Sequence, residues 1–304
     1  MTQEKLSAEK KTAISLGSLS HLVRENKDWP QPGIYLGISN EKYHSAKGLS
    51  KSTLDAALSS PASYRASYID GIRRPETPAM LEGTLFHKLV LEPYDFDNEF
   101  RISPEVNKRT TAGKEAWKKF IESCERDGVR AIDPVMYSRV HDPAYSVMTE
   151  PEVKELMSEG APEVTVLWID PTTNQLCKCR PDWLRPDGLM IDLKKARSSR
   201  PRGFSLGAGD HGYHRQAAWY MRGLRALGVS EPSFIFLAAE MEYPFHWGTY
   251  EIHPDDVKSG DKECNDALVQ IMAIHQFKSY SRRVSKGIQT IRLPRWAVKY
   301  REDD

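Results

Sequence analysis

Residues 179–196, CRPDWLRPDGLMIDLKKA, constrain the fold of this chain more tightly than any other stretch. Pro186-Asp187-Gly188 suits a three-residue hairpin loop. Proline fixes φ for a type I turn, and glycine takes the left-handed position of a G1 bulge. A loop of that length pairs Arg185 with Leu189, Leu184 with Met190, and Asp182 with Asp192. Directly opposed residues share a face of a sheet. Asp182, Asp192 and Lys194 are therefore predicted to project together, while Trp183, Ile191 and Leu193 project into a core. A two-residue loop would slip the register by one and put the two aspartates on opposite faces.

Two opposed carboxylates repel across a strand pair. A cation resolves that repulsion. Lys194 can supply part of it and a hard divalent metal more, since Mg²⁺ takes a few carboxylates, keeps waters and accepts phosphate oxygens. A lysine beside such a metal can orient or activate the attacking water and help hold developing charge on phosphate. A solvated salt-bridge cluster would give the same D…DxK pattern. Here the strand is apolar on its other face, and ionic residues on a central strand are costly without a reason.

The rest of the chain frames this hairpin. Residues 1–30 are polar and rich in Lys, Glu and Ser, a segment that can be mobile or form one weak helix near residues 13–24. The breaker WPQPG at residues 29–33 is expected to open the folded part. Ser50 or Ser52 can cap a short helix, and Pro61 can start the next. Leu81, Leu85, Phe86 and Leu89 lie at helical spacing. Residues 114–126 and 134–157 also read as helical, with a break expected at Asp142-Pro143. From Pro162 the runs EVTVLWID, QLCKCRPDWL and GLMIDLKKA are β-rich. A helix over residues 213–227, strands over 233–240 and 247–253, and a helix over about 255–276 complete the order. The expected fold is α/β, a mixed central sheet flanked by helices with an N-terminal helical portion.

Composition excludes some classes. Lys plus Arg total 43 against 42 for Asp plus Glu, a formal charge of +1 in 304 residues. That rules out a histone-like polycation but not local basic patches. The longest apolar run, Phe234 to Ala239, is far short of the ~18 residues of a membrane span. No apolar segment follows the charged start, so no secretory signal is expected. Cys177 and Cys179 are two apart, which fits neither a CxxC redox pair nor a zinc knuckle. With Cys124 and Cys264 they are expected to be free thiols in a reducing cytoplasm. The GK at Gly113-Lys114 lacks the first glycine and the Ser/Thr of a phosphate loop, so it is not read as an ATP site.

Pro181-Asp182 followed by Asp192-Leu193-Lys194, at the end of a β-meander, resembles the PD-(D/E)xK nuclease signature. Gly83-Thr84-Leu85-Phe86-His87 resembles the GxxxH element of RecB-type nucleases, and Gln216-Ala217-Ala218-Trp219-Tyr220 their QxxxY element. Gln216 and Tyr220, four apart, share one helical face. Gly83 would let a neighbour approach His87. Together with the stretches NKRTTAGKEAW and LSKSTLDAALSSP, residues from about 33 to 255 resemble the C-terminal nuclease domain of the RecE family, exonuclease VIII. The division expected is a polar segment 1–30, a RecE-like nuclease domain 31–277 and a basic segment 278–304.

The resemblance implies a Mg²⁺-dependent exonuclease, with Mn²⁺ as a substitute, that degrades linear double-stranded DNA from 5′ ends. It would leave 3′ single strands for recombination and repair by strand annealing, in a prophage-type setting. It implies a homo-oligomeric ring, expected to be a tetramer, and a single-strand annealing partner. By motif match His87, Asp182, Asp192 and the Leu193 carbonyl would hold metal, and Lys194 would position or activate water. Glu163, on the preceding strand, would hold a second metal or its water shell. Gln216 and Tyr220 would contact DNA near the cut.

Basic residues offer further contacts. Residues 194–202 hold five cations in nine positions, followed by Gly203, Gly207, Gly209 and Gly212. This reads as a mobile loop whose Arg197 or Arg200 would meet a terminal 5′-phosphate. Residues 278–301 hold eight cations and no Asp or Glu, interleaved with Trp296 and Tyr300, and such a stretch can track a backbone and stack on bases. Packing against a neighbouring subunit is the other use of that segment. A non-catalytic recombination-accessory module and a restriction-type endonuclease are the alternative functions.

Overall fold

A computed structural model describes residues 16–72, 75–282 and 287–292. The chain divides into two compact units, residues 1–51 with 74–265, and residues 52–73 with 266–304.

The described strands all belong to the first unit. They are β1 (Gly33–Tyr35), β2 (Phe100–Ile102), β3 (Arg130–Ile132), β4 (Ala161–Pro162), β5 (Thr165–Ile169), β6 (Leu176–Cys179), β7 (Trp183–Leu184), β8 (Leu189–Lys195), β9 (Ser233–Ala239) and β10 (Trp247–Tyr250). They form three sheets. One has the order β10-β9-β8-β7-β4, a second β1-β5-β6, and β2 and β3 pair alone. In the five-stranded sheet β8 and β9 are parallel and the other pairs antiparallel.

The hairpin forms in the expected register, with Trp183 opposite Ile191 and Leu184 opposite Met190. The Arg185 N–H donates to the Leu189 carbonyl at 2.9 Å, and Gly188 sits at φ +86°. Only glycine takes that conformation at low cost.

The main helices of this unit have local causes. α1 (Asn40–Ser45) is capped by Ser39, whose side chain accepts from the Lys42 N–H. α2 (Pro78–Leu91) starts with Pro at its first position and Thr77 as cap. α3 (Thr111–Asp127) is capped by Thr110 and stops at Gly128, φ +67°. α4 (Pro134–Thr149) is capped by Asp133, followed by α5 (Pro151–Leu156), α6 (Pro201–Asp210) and α7 (Tyr213–Ala226). Leu85 and Phe86 of α2 and Val140 and Val147 of α4 share one buried cluster with Trp183, Ile191, Leu193 and Leu237. α7 lies on the other face of β8, where Asp192 and Lys194 project.

Expectations are corrected at Pro143 and in the glycine-rich stretch after residue 202. Pro143 does not break α4, because it is buried with Val140, Ala144 and Val147 and that packing offsets the missing hydrogen bond. The chain turns instead at Glu150-Pro151. The glycines after residue 202 are mostly helical, inside α6, so only residues 196–200 form a loop. Ser199 ties that loop down, donating its N–H and hydroxyl to Glu240 Oε1 at 2.6 and 2.9 Å. Near the start, residues 17–22 form a 3-10 helix, with Leu16 and Leu19 buried.

In the second unit Tyr64 is buried, hydrogen-bonds His275 Nε2 at 2.7 Å and stacks on Tyr68. Arg65 lies over the Tyr280 ring. The last helix, Pro254–Phe277, has its residues from Asp266 onward in this unit. Of the basic C-terminal stretch, Arg283, Lys286, Arg295, Trp296, Lys299, Tyr300 and Arg301 lie outside the described residues. The four cysteines are buried thiols. No described helix is long and apolar enough to cross a membrane.

Candidate metal centre between two sheets

The chain passes twice between the sheets. It leaves the five-stranded sheet at Pro162 and enters the three-stranded one at Thr165, then returns between Cys179 and Trp183. Glu163 lies on the first crossing, and Arg180 and Asp182 on the second. Glu163 is thus not within a strand, as the sequence had implied, but at a kink with φ +49°. That region is uncommon for residues other than glycine and persists where the surroundings over-determine it. Its N–H donates to the Asp182 carbonyl at 2.8 Å, which laces the crossings together. Pro162 and Pro181 lack an N–H, and each sits where a ladder stops.

Asp182 is 9% exposed. Its Oδ2 accepts from the Leu193 N–H at 2.6 Å and lies 3.5 Å from His87 Nδ1. His87 lies on α2. His87, Glu163 and Asp182 each offer a ligand atom, all within 4.8 Å of one another.

Asp192, on β8, is 2% exposed. Its Oδ1 accepts from Gln216 Nε2 at 2.5 Å. Its Oδ2 pairs with the Lys194 ammonium but has no aligned hydrogen-bond donor. Lys194 in turn lies over the Tyr213 ring at 4.9 Å, a cation–π contact.

Electrostatics follow from this crowding. Burial, and then the charge of Asp192, push the Asp182 carboxyl well above the usual range. Burial raises Glu163 to about 7, with Asp182 adding and Arg180 and His87 opposing. Burial lowers His87 and so favours its neutral form. Burial works against the Lys194 ammonium, but the charges of Asp192 and Asp182 outweigh it and hold Lys194 above its ordinary value.

This donor set fits a hard divalent cation. Carboxylate oxygens and a neutral imidazole converge, and buried like charges of this kind are usually paired or metal-bound.

A family model described as a PDDEXK-like domain of unknown function, DUF3799, matches residues 50–294. The chain belongs to that family. Its fold is similar to that of a protein from Eubacterium rectale whose name proposes an exonuclease. The two are 12% identical with a TM-score of 0.58, over 84% of this chain and 97% of that one. No curated protein matches the chain in sequence.

Within this PDDEXK-like fold the motif residues divide. His87, Glu163 and Asp182 converge as a group that could hold a metal ion, while Asp192 and Lys194 pair beside it. Gln216 is buried and bonded to Asp192. Tyr220, one turn on, packs edge-on against Phe234, and its hydroxyl is pushed well above its ordinary pKa by burial and then by Tyr43 and Asp192. Arg197 and Arg200 are exposed on the loop after β8. Gly83 admits no close neighbour, since a Cβ there would meet nothing within 4 Å. It opens instead onto a cavity of about 980 Å³ that His87, Glu163 and Arg180 also line.

Two residues escaped the sequence reading. Lys88, beside His87, is buried and bonds Glu92, Asp95 and Glu99 at 3.2, 2.6 and 2.6 Å. Arg180, just before Pro181-Asp182, places Nε 2.7 Å from Glu163 Oε2. Adjacency to the motif was the only signal for either.

Proposed function

We propose that this chain is a Mg²⁺-dependent exodeoxyribonuclease of RecE type, degrading linear duplex DNA 5′→3′ and leaving 3′ single strands for strand annealing. The observation that carries this reading is the convergence of His87, Glu163 and Asp182 beside the Asp192–Lys194 pair in a PDDEXK-like fold. Mn²⁺ is the expected substitute metal. A ring-shaped homo-oligomer, expected to be a tetramer, an annealing partner and a cytoplasmic setting belong to the same reading.

His87, Glu163, Asp182 and Asp192 would hold the cation, with the Leu193 carbonyl as a further ligand. When bound, a divalent cation supplies a Lewis acid for the phosphoryl oxygen and acidifies water. Asp182 and Glu163, raised in the free protein, would give up their protons as it binds and so supply negative charge. His87, neutral through burial, adds a ring nitrogen without adding charge. Lys194, kept as an ammonium by its carboxylate neighbours, donates hydrogen bonds that hold a water or a phosphate oxygen in place. Gln216 keeps Asp192 oriented. Arg197 or Arg200, exposed on the loop after β8, would meet a terminal 5′-phosphate.

The test is digestion of duplexes labelled at either the 5′ or the 3′ end, with and without Mg²⁺, by the wild type and by Asp192→Ala. Expected is Mg²⁺-dependent loss of 5′ label from linear duplex, abolished in the variant, with closed circular duplex left whole. Cutting of closed circles would instead give a restriction-type endonuclease. Absence of both digestion and metal binding would give an accessory module.

A further inference from the structure

Arg180 borders this centre with two buried donor atoms left over. Its side chain is only 12% exposed. Nη2 donates to the Ile38 carbonyl at 2.9 Å, and the group lies 5.4 Å from the Tyr43 ring centre, so its plane is fixed. Nε and Nη1 are buried and have no hydrogen-bond acceptor. Glu163 Oε2 comes within 2.7 Å of Nε, but out of line for a hydrogen bond. Buried donors are nearly always paired, and leaving one unpaired forfeits its hydration. Arg180 also lines the cavity of about 980 Å³ on which His87 and Glu163 open.

We propose that Arg180 takes up a backbone phosphate of the DNA strand in this cavity, and that Glu163 stands against it in the free protein. The inference rests on the nuclease reading above. A guanidinium is planar, always charged and suited to phosphate oxygens. Its backbone position directly before Pro181-Asp182 couples the phosphate it holds to the metal ligands. A phosphate that displaces Glu163 from Arg180 also leaves that carboxylate for the His87–Asp182 cluster, so strand binding and ligand assembly favour each other. The competing role for Arg180 is neutralisation of Glu163 and Asp182 alone.

The experiment is binding of a short blunt DNA duplex in EDTA, over a range of salt, by the wild type, Arg180→Gln and Arg180→Lys. Arg180→Gln is expected to bind about tenfold more weakly, with the slope of log affinity against log salt reduced by about one. Arg180→Lys keeps the charge and should retain the slope while losing part of the affinity. In the wild type, the Arg180 Nε–H resonance should shift when duplex is added, a readout independent of whether Arg180→Gln folds. Unchanged DNA affinity and slope in a folded variant, or an unmoved resonance, would overturn the proposal and leave neutralisation as the role. A wild type that neither binds nor digests DNA would remove the nuclease reading itself. A wild type that does both, beside a variant that binds equally well, removes only the role of Arg180.

Discussion

Gln216 on α7 donates its amide to Asp192 on β8 at 2.5 Å, and both residues are buried. The bond spans the interface between the helix and the sheet. It takes up the carboxylate oxygen that faces away from Lys194 and leaves the other one without an aligned donor.

Gln216→Met should therefore lower kcat more than it raises KM for DNA. Outer partners of metal ligands typically contribute about 10–100-fold in affinity or activity. Steady-state digestion of linear duplex checks this, together with metal titration by calorimetry. A rise in KM alone would assign Gln216 to DNA contact instead.

The raised value of Glu163 fixes a sign for stability against pH. Its folded pKa of about 7 exceeds the ordinary 4.5. Between those values the folded state binds more protons than the unfolded one, so metal-free stability falls as pH rises through that window. Asp182, raised as well, acts in the same direction. Thermal unfolding in EDTA should show Tm falling across that window more steeply in the wild type than in Glu163→Gln, by on the order of 2 kcal/mol in stability. Adding Mg²⁺ should reverse the trend and release protons near pH 6, because a cation binds the ionised carboxylates. Equal pH profiles for the two proteins would contradict the assignment.

Lys88 is 6% exposed and stands among three carboxylates. Lys88→Met should leave those charges facing one another and destabilise the protein by about 2 kcal/mol. That is below the ~3–5 typical of fully buried pairs, because the three carboxylates are partly in water. Urea unfolding at neutral pH measures it.

Gly160 sits at φ +126°, and a Cβ there would lie 2.4 Å from the Leu184 carbonyl oxygen. Backbone cannot yield as a flexible side chain does. Gly160→Ala should cost about 2 kcal/mol or more, read as a shift in the urea midpoint. Because the residue shortly precedes Glu163, metal affinity should fall too. Gly83→Ala, where a Cβ meets nothing, is the control expected to leave stability within ~0.5 kcal/mol.

Turn chemistry made the β7–β8 hairpin legible, since Pro186 and Gly188 set its loop length and the period of two set its faces. The caps at Thr77, Thr110 and Asp133, first seen in the structure, are also set by neighbours along the chain. Pro143 was misread because a buried helix face overrides a local breaker. The glycines of α6 were misread as loop for a related reason, since Phe204 and Ala208 are buried and anchor that helix.

The sequence by itself determined that Asp182, Asp192 and Lys194 come from one short hairpin, because neighbours along a chain carry that information. It also named His87, Glu163 and Gln216, though only through motif resemblance. Which carboxylates converge was decided by tertiary structure. Two crossings between separate sheets bring Glu163 to Asp182 and His87, while α7 draws Asp192 toward Gln216. The same crossings leave Nε and Nη1 of Arg180 without acceptors. Such distances depend on how sheets and helices pack across long sequence separations, and no local pattern encodes them.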